Sequence, residues 1–531
     1  MKKLITGVLC TLLATGAAHA QSKVFKEVSE GMTSSTELIM HDDQLVGYLR
    51  FTQLEKANKD SFNYSISIMD ENLNEIGSLK FRDEQIQLQS VAYEQDVLCL
   101  AYLKSNIIGT EFKNRRTYKR SLDEARNGIM TQFINLDGKI LNTNAYNVSI
   151  DLQRDAFATQ YYGNYRVIFT ELVGYGNLKH PVQVGNIPGK GFACFFGDEV
   201  NNYLYAYDLT GKQLWKKTIA DEAQAFTLHT SGESVYLLAK REDKMEQGGY
   251  EMLGYAVNGS AYEKFPLKDK NGNSLKALSI ANDPASGKAF ITGLVINNKR
   301  GNKSASVKGL AQGPYDGVFT MHFNGPSKND VEQLYSYWND GSKMPALSKK
   351  GYNYNNKSYT RLSRSFRDFE GNTYFVGSSF NKKVRWGTII TSVILVPTVF
   401  MPPYLLYGFG TQKSTIKETV LMKQDADGNL TVEQTIPGNR AIYVASKVPT
   451  ALYDSRRFYH VINNDTKNNY MVINDTKDIS VYNVEQGKVM RTIPHYKGGL
   501  YTNILPAKEG HVLVTEYNAK EKTTRYSIET L

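Results

Sequence analysis

"YLYAYDLTGKQLWKKTI", residues 203–219, alternates apolar and polar side chains, breaks at Asp208-Leu209-Thr210-Gly211, and then alternates again. Alternation with period two is the mark of a half-buried strand, and an Asp/Gly break between two such runs marks a hairpin. The same pattern returns at "YSISIMDENLNEIGSLKF" (64–81), "MTQFINLDGKILNTN" (130–144), "TVLMKQDADGNLTVEQTI" (419–436) and "ISVYNVEQGKVMRTI" (479–493). Most of these hairpins follow another pair of strand-like runs. From residue 225 the order is "AFTLHTS", "SVYLLAKR", "YEMLGYAV", "AYEKFPL". No comparable helical periodicity runs through the chain.

The reading is therefore all-β: a four-stranded meander repeated around eight times, which predicts a single β-propeller. Two or three β-sandwiches fit the same composition and are the alternative. The count is eight blades, with seven as the alternative, and residues 151–181 fit no blade. The last unit has three runs, "YTNILPA", "HVLVTEY" and "TRYSIET", before the chain ends at Leu531. "KVFKEVSE" (23–30) supplies a fourth strand, so the termini are expected to share a blade and leave no open sheet edge.

"LYAYDLTGKQLW" (204–215), with its Asp, Gly and tryptophan-docking position, resembles the repeat of quinoprotein-type (PQQ-like) propellers. The match covers one repeat of about eight, and the chain has three tryptophans, Trp215, Trp338 and Trp386. The resemblance implies the propeller fold. No quinone and no other cofactor is expected.

Residues 1–20 read as a secretory signal peptide: Lys2 and Lys3, a short apolar run, and the small-residue site Ala18-His19-Ala20. The propeller domain is then 21–531, starting at Gln21, and the protein is expected in the periplasm or at the cell surface. A lipid on Cys10 is disfavoured by the large Leu9 before it. The whole chain carries a formal charge of +10, two of it in the leader. That excess suits anionic lipid, glycan or acidic protein surfaces, and is too dispersed for nucleic acid. Cys99 and Cys194 lie in the apolar runs "DVLCLAY" and "GFACFFG", where a thiol acts as a small hydrophobe; a disulfide between them is the alternative.

Long insertions are expected at about 104–129, 296–315 and 381–416, each between the second and third strands of a blade. They would emerge together on one face, and elaborated loops on a rigid scaffold are where binding usually resides. The third contains "RWGTIITSVILVPTVFMPPYLLYGFGTQK" (385–413), uncharged over 387–409 and long enough to cross a bilayer. A crossing there would put blades of one ring on opposite sides, and Pro397, Pro402 and Pro403 interrupt a helix. No transmembrane span is expected. The segment either buries itself on its own propeller or docks on a membrane or partner, with Lys382, Lys383, Arg385, Trp386, Tyr404 and Tyr407 at its rim. In the first insertion, Arg115, Arg116, Lys119 and Arg120 precede a short helix that Ser121 and Glu124 would cap and Gly128 would stop.

Motifs for chemistry are sparse. His41, His180, His229, His322, His460, His495 and His511 show no metal-ligand spacing. "DADGN" (425–429) and "DKNGN" (269–273) resemble half of a calcium loop and lack its twelfth-position acid, so each reads as a turn. Catalytic residues stay unassigned and no metal is expected. The favoured function is a non-enzymatic binding or scaffold protein of the bacterial cell envelope, contacting membrane, glycan or an envelope protein. The alternative is a propeller enzyme acting on glycans or small molecules at the channel mouth.

Overall fold

The computed structural model describes residues 22–26, 33–41, 44–58, 61–107, 110–148, 157–161, 164–168, 182–198, 200–220, 223, 225–241, 249–260, 262–296, 315–338, 352–353, 357–384, 412–444, 458–463, 466–475, 477–508 and 510–530. Among them are eight antiparallel blades of four strands each, which closes the choice between seven blades and eight. Blades one to eight begin at residues 33, 86, 183, 225, 275, 358, 458 and 500. With strands lettered A to D from the centre outward, strands A of blades one to seven touch in sequence around the ring.

The ring closes through Ser22–Lys26, which is strand D of blade eight. It pairs antiparallel with Thr523–Thr530, from Ser22 opposite Ser527 to Lys26 opposite Thr523. Of the stretch 23–30 read from the sequence, residues 23–26 are in this strand and 27–30 lie outside the described residues.

Burial follows position in the blade. Strands B lie between two neighbouring blades, so Val97–Ser105, Gly191–Gly197 and Ala289–Ile296 are buried almost throughout. Strands D face solvent at the rim, and Glu75–Asp83 and Ile140–Asn147 alternate between half-buried and exposed. Eight apolar clusters lie one between each adjacent pair of blades. Phe51, Ile66 and Leu100 fill the gap between blades one and two; Tyr48, Leu513 and Ile528 fill part of the gap between eight and one. Each fully buried Leu, Ile or Phe contributes about 1.5–3 kcal/mol, so the interfaces between blades dominate the stability. Cys99 and Cys194 are both free and fully buried in the cluster between blades two and three. Burial pushes both thiols up, and packing is their role.

The hairpins between strands C and D of blades one, three and six are built by an aspartate. Asp425 Oδ1 accepts from the backbone N–H of Asp427 at 3.0 Å and of Asn429 at 2.8 Å, and Oδ2 accepts from Asn429 Nδ2 at 2.8 Å. Asp70 with Asn74, Asp269 with Asn273 and Asp368 with Asn372 repeat that geometry in other turns. The acidic turns "DADGN" and "DKNGN" are thus Asx turns whose carboxylates bond their own backbone.

These hairpins also hook blade to blade. Trp215, on strand D of blade three, donates from Nε1 to the Val257 carbonyl of blade four at 2.6 Å. Its ring lies on Gly259, where an added Cβ would meet ring atoms at 3.1 Å and where φ is +72°. Asn142 and Asn144 of blade two donate to the Gly211 carbonyl of blade three at 2.7 and 3.1 Å. Ser336 of blade five donates to the Gly428 carbonyl of blade six at 2.6 Å.

Candidate functional site

Strands in a blade run up and down alternately, so B–C and D–A connections share one face of the ring. That face is the elaborated one. Its long connections are 106–126, 148–182, 297–314, 338–357, 385–411 and 445–457, whereas the opposite face has only short A–B and C–D turns.

Two of the long connections meet. Glu111–Phe112, from the B–C insertion of blade two, pairs with Asn164–Ile168, which pairs in turn with Phe157–Tyr161 from the connection to blade three. The stretch 151–181 fits no blade because part of it builds this separate three-stranded sheet. Helix α1, Arg115–Asp123, packs beside it. Phe112, Tyr118, Leu122 and Ala125 cover Leu103 and Ile107 of the propeller, which fixes one side of α1.

The start of α1 differs from the sequence reading. Asn114 is the N-cap, its Oδ1 accepting from the N–H groups of Arg116 and Thr117 at 3.0 Å, and Thr117 completes the capping box. Asn114 outcompetes Ser121 because it is a strong cap about two turns earlier. Ser121 lies inside the helix and bonds back to the Thr117 carbonyl at 3.0 Å, Glu124 is the C-cap, and Gly128 belongs to the following strand. The basic residues are consequently in the helix rather than before it. Arg115, Arg116, Lys119 and Arg120 are all exposed and form one continuous stripe at i, i+1, i+4 and i+5. No acidic residue occupies the first turn. Among the described residues, Arg120 pairs with Glu124 at 3.1 Å.

The apolar insertion springs from a ribbon. In blade six, strand B (Thr373–Val384) and strand C (Gln412–Gln424) stay paired out to Val384 opposite Gln412, beyond the blade itself. Strand D continues beside them, with Lys413 opposite Val444. Phe380 and Ile416 are buried at the base of the ribbon. Lys382 and Lys383 lie on its first strand, opposite Ser414 and Lys413. Arg385, Trp386, Tyr404, Tyr407 and the whole of 387–409 lie outside the described residues, as do residues 1–20 and His180. Among the described residues no helix is long and apolar enough to cross a membrane.

Two D–A connections add a fifth strand on the channel side of strand A. Tyr352–Asn353 pairs with Ser358 and Tyr359 of blade six, and Tyr496–Lys497 pairs with Leu500 and Tyr501 of blade eight. Both lie at the mouth of the channel on the elaborated face. Beside the first, Lys276 Nζ is 3.3 Å from Tyr315 Oη and the buried Arg361 lies 4.9 Å from the centre of the same ring. The sequence reading missed these groups because they come from different blades; the signal available was "HYKGGLY" (495–501), a Gly-Gly hairpin flanked by tyrosines.

The histidines sit mostly toward the opposite face, as ties between blades. Glu94 is buried and accepts from Asn186 Nδ2 at 3.0 Å and Gly189 N at 2.9 Å, with His41 Nε2 at 3.3 Å. His322, 4.0 Å from Asp283, also contacts Arg367; burial first, and the Arg367 charge second, lower its pKa to about 4. His229, bonded to Asn282 at 3.0 Å, and His460, bonded to Asn469 at 2.8 Å, are likewise held by burial at about 4. Among the described residues, no three His, Cys, Asp or Glu side chains gather as a metal ion would need.

A family model described as "Family of unknown function (DUF6770)" matches residues 1–436. No curated protein matches the chain. Among solved structures it is similar to the Dos1 propeller, at 10% identity over 95% of this chain and 94% of that one, with a TM-score of 0.42. It is similar to the WD40 domain of SCAP from fission yeast at 10% identity, covering 94% and 98%, TM-score 0.37. A third is the polysaccharide lyase Uly1, at 11% identity, covering 93% and 89%, TM-score 0.35. Likeness at this level says nothing of what either molecule binds.

Proposed function

We propose that this chain, which belongs to the DUF6770 family of unknown function, is an exported, non-enzymatic binding protein of the bacterial cell envelope that uses its elaborated face to hold an anionic surface. The observation carrying this is helix α1: four exposed cations in one stripe, fixed to the propeller by Tyr118 and Leu122, on the face that carries every long connection. Placing Arg115 and Arg116 in the first turn opposes the helix dipole, and Arg115 with Lys119 and Arg116 with Arg120 are like-charge pairs one turn apart. Such local costs are tolerated where a function uses them. The apolar segment 387–409, at the end of the blade-six ribbon, would add insertion into a membrane or partner. Export rests on the leader 1–20, and envelope protein recovered from its source should begin at Gln21; retention of Met1 would overturn it.

The binding test is sedimentation of the mature protein with phosphatidylglycerol vesicles. Binding should weaken with salt, since exposed charges are screened within about 8–10 Å at physiological ionic strength. Changing Arg115, Arg116, Lys119 and Arg120 together to Glu should lower it at least tenfold. Equal binding by that variant, or none by the native protein at low salt, rejects the reading. The alternative, an enzyme or small-ligand site at the channel mouth, is favoured by the two inner strands there, and turnover of a glycan by the purified protein would bring it forward.

A further inference from the structure

The interface that closes the ring joins blade eight to blade one. Strands A, B and C of blade eight pair without a bulge, so directly opposed residues share a face. Asn503, Thr515 and Tyr526 are in register, and Tyr526 Oη lies 2.6 Å from Thr36 Oγ1 of blade one. That face of blade eight therefore looks at blade one, and Tyr501, two residues before Asn503, is on it too.

Only the half of this interface near the short turns is filled by apolar side chains, among them Tyr48, Met69, Leu513 and Ile528. Toward the elaborated face it turns polar. From blade one come Ser34, Thr36 and Arg50, in register on the side facing blade eight. Arg50 is 6% exposed, lies 3.9 Å from the centre of the Phe25 ring, and donates to Ser34 Oγ at 3.2 Å. From blade eight come Tyr501 and Asn503, both exposed although they are on an inner strand. Tyr496 stands directly opposite Tyr501, the two rings 5.1 Å apart and inclined at 51°, and they are 59% and 56% exposed.

The hairpin bearing them is fixed in place. Gly498 and Gly499 take φ of +62° and +94°, as a tight two-residue turn requires. At its base, His495 N donates to the Lys477 carbonyl at 2.8 Å, His495 Nε2 lies 2.9 Å from the Asp475 carbonyl, and Thr502 N donates to the His495 carbonyl at 2.7 Å. Two large aromatic rings are thus held rigid and open to solvent beside a row of hydroxyl, amide and guanidinium groups.

We propose that this seam between blades eight and one, at the channel mouth, binds a carbohydrate chain. Sugar rings present C–H faces that stack on tyrosine and a rim of hydroxyls that need donors and acceptors, and the wall supplies both: Tyr496 and Tyr501 for the faces, and Asn503 and Ser34, the latter held by Arg50, for the rim. A proline-rich peptide also docks on tyrosines but brings no hydroxyl rim for Asn503 and Ser34 to meet, and an acyl chain would need an apolar groove, whereas these side chains include no aliphatic one. The site is separate from α1 and does not depend on the reading of that helix.

The test is affinity electrophoresis of the mature protein through gels containing xylan, dextran, polygalacturonate or alginate. At least one polymer should retard the native protein. Tyr496→Ala and Tyr501→Ala should each weaken retardation at least tenfold, while Tyr501→Phe, which keeps the ring face, stays within threefold of native. The α1 variant with four Glu should be retarded like the native protein. Because the opposed tyrosines also brace the hairpin, thermal melts accompany each variant. Should the alanine variants melt early, Asn503→Ala, on the same wall and outside the pair, should still lose threefold. No retardation by any of the four polymers overturns the site. So does retardation that the α1 variant loses and the tyrosine variants keep, and so does a Tyr501-dependent affinity for a proline-rich peptide instead.

Discussion

His229, His322 and His460 are half-buried bases whose unfolded counterparts titrate near pH 6.5, whereas in the folded chain their partial burial holds them neutral down to about pH 4. Between those values the unfolded chain binds protons that the folded one refuses. Their contribution to stability is therefore complete above about pH 6.5 and is lost as pH falls toward 4. Each should cost roughly 1–3 kcal/mol at the acid end. Urea midpoints measured at pH 7 and pH 4.5 should show the loss, and His460→Gln, which keeps a partner for Asn469, should reduce the difference. Trp215 gives a second residue-level test. Trp215→Phe loses the bond to Val257 and part of the ring contact with Gly259, and should cost about 1–2 kcal/mol, whereas Trp215→Ala should cost about 3–5. Equal melts for the native protein and Trp215→Ala would mean that blades three and four are held by their apolar cluster alone.

Helix α1 is an element whose stability and binding should respond in opposite senses to one change. Arg115→Glu with Arg116→Glu puts acids in the first turn, where the dipole favours them by about 0.3–1 kcal/mol each, and relieves two like-charge pairs. Thermal stability should hold or rise slightly while binding to anionic vesicles falls. A variant that both melts earlier and binds less would point to the arginines as structural. The blade-six ribbon makes a separate prediction. Its strands remain paired to Val384 and Gln412, so replacing 385–411 with a short Gly/Ser turn should leave the propeller folded, since closure cost depends weakly on loop length. An early melt would show that the segment packs on its own domain. The strands themselves were legible in the sequence because period two and Asp/Gly turns are local properties, as in 203–219. The start of α1 was less so: Ser121 and Glu124 satisfy a capping pattern, but Asn114 does it earlier. The sheet joining residues 111–112 to 157–168 lies beyond local reading altogether, because its register is set by two connections that the ring brings to one face.

At the scale of the whole molecule, the shared blade was legible because the last unit lacked a strand and the stretch 23–30 offered one. The seam beside it was not, because Tyr501, Asn503 and Arg50 are ordinary strand residues until pairing puts them on facing walls. The closing strand is also where the ring is most open to test. Ser22–Lys26 completes blade eight, and from it Phe25 packs on Tyr526 at 5.2 Å and lies under Arg50, while Lys23 reaches Glu75 of blade one at 3.5 Å. Deleting 22–26 removes five paired residues, leaves Thr523–Thr530 as a free edge and takes away the ring that covers Arg50. Strand A, B and C of blade eight would still be joined to blade seven through the cluster of Val461, Val472, Ile504 and Val514. The loss should therefore begin at blades eight and one and spread from there. Hydrogen exchange on the truncated protein should show faster exchange first in 33–83 and 500–530, with a lower and broader thermal transition. Phe25→Ala in the intact chain should move the same regions less, in proportion to one lost aromatic contact. A truncated protein that melts and exchanges like the native one would mean that the apolar cluster of Tyr48, Met69, Leu513 and Ile528 holds blades eight and one together without the strand.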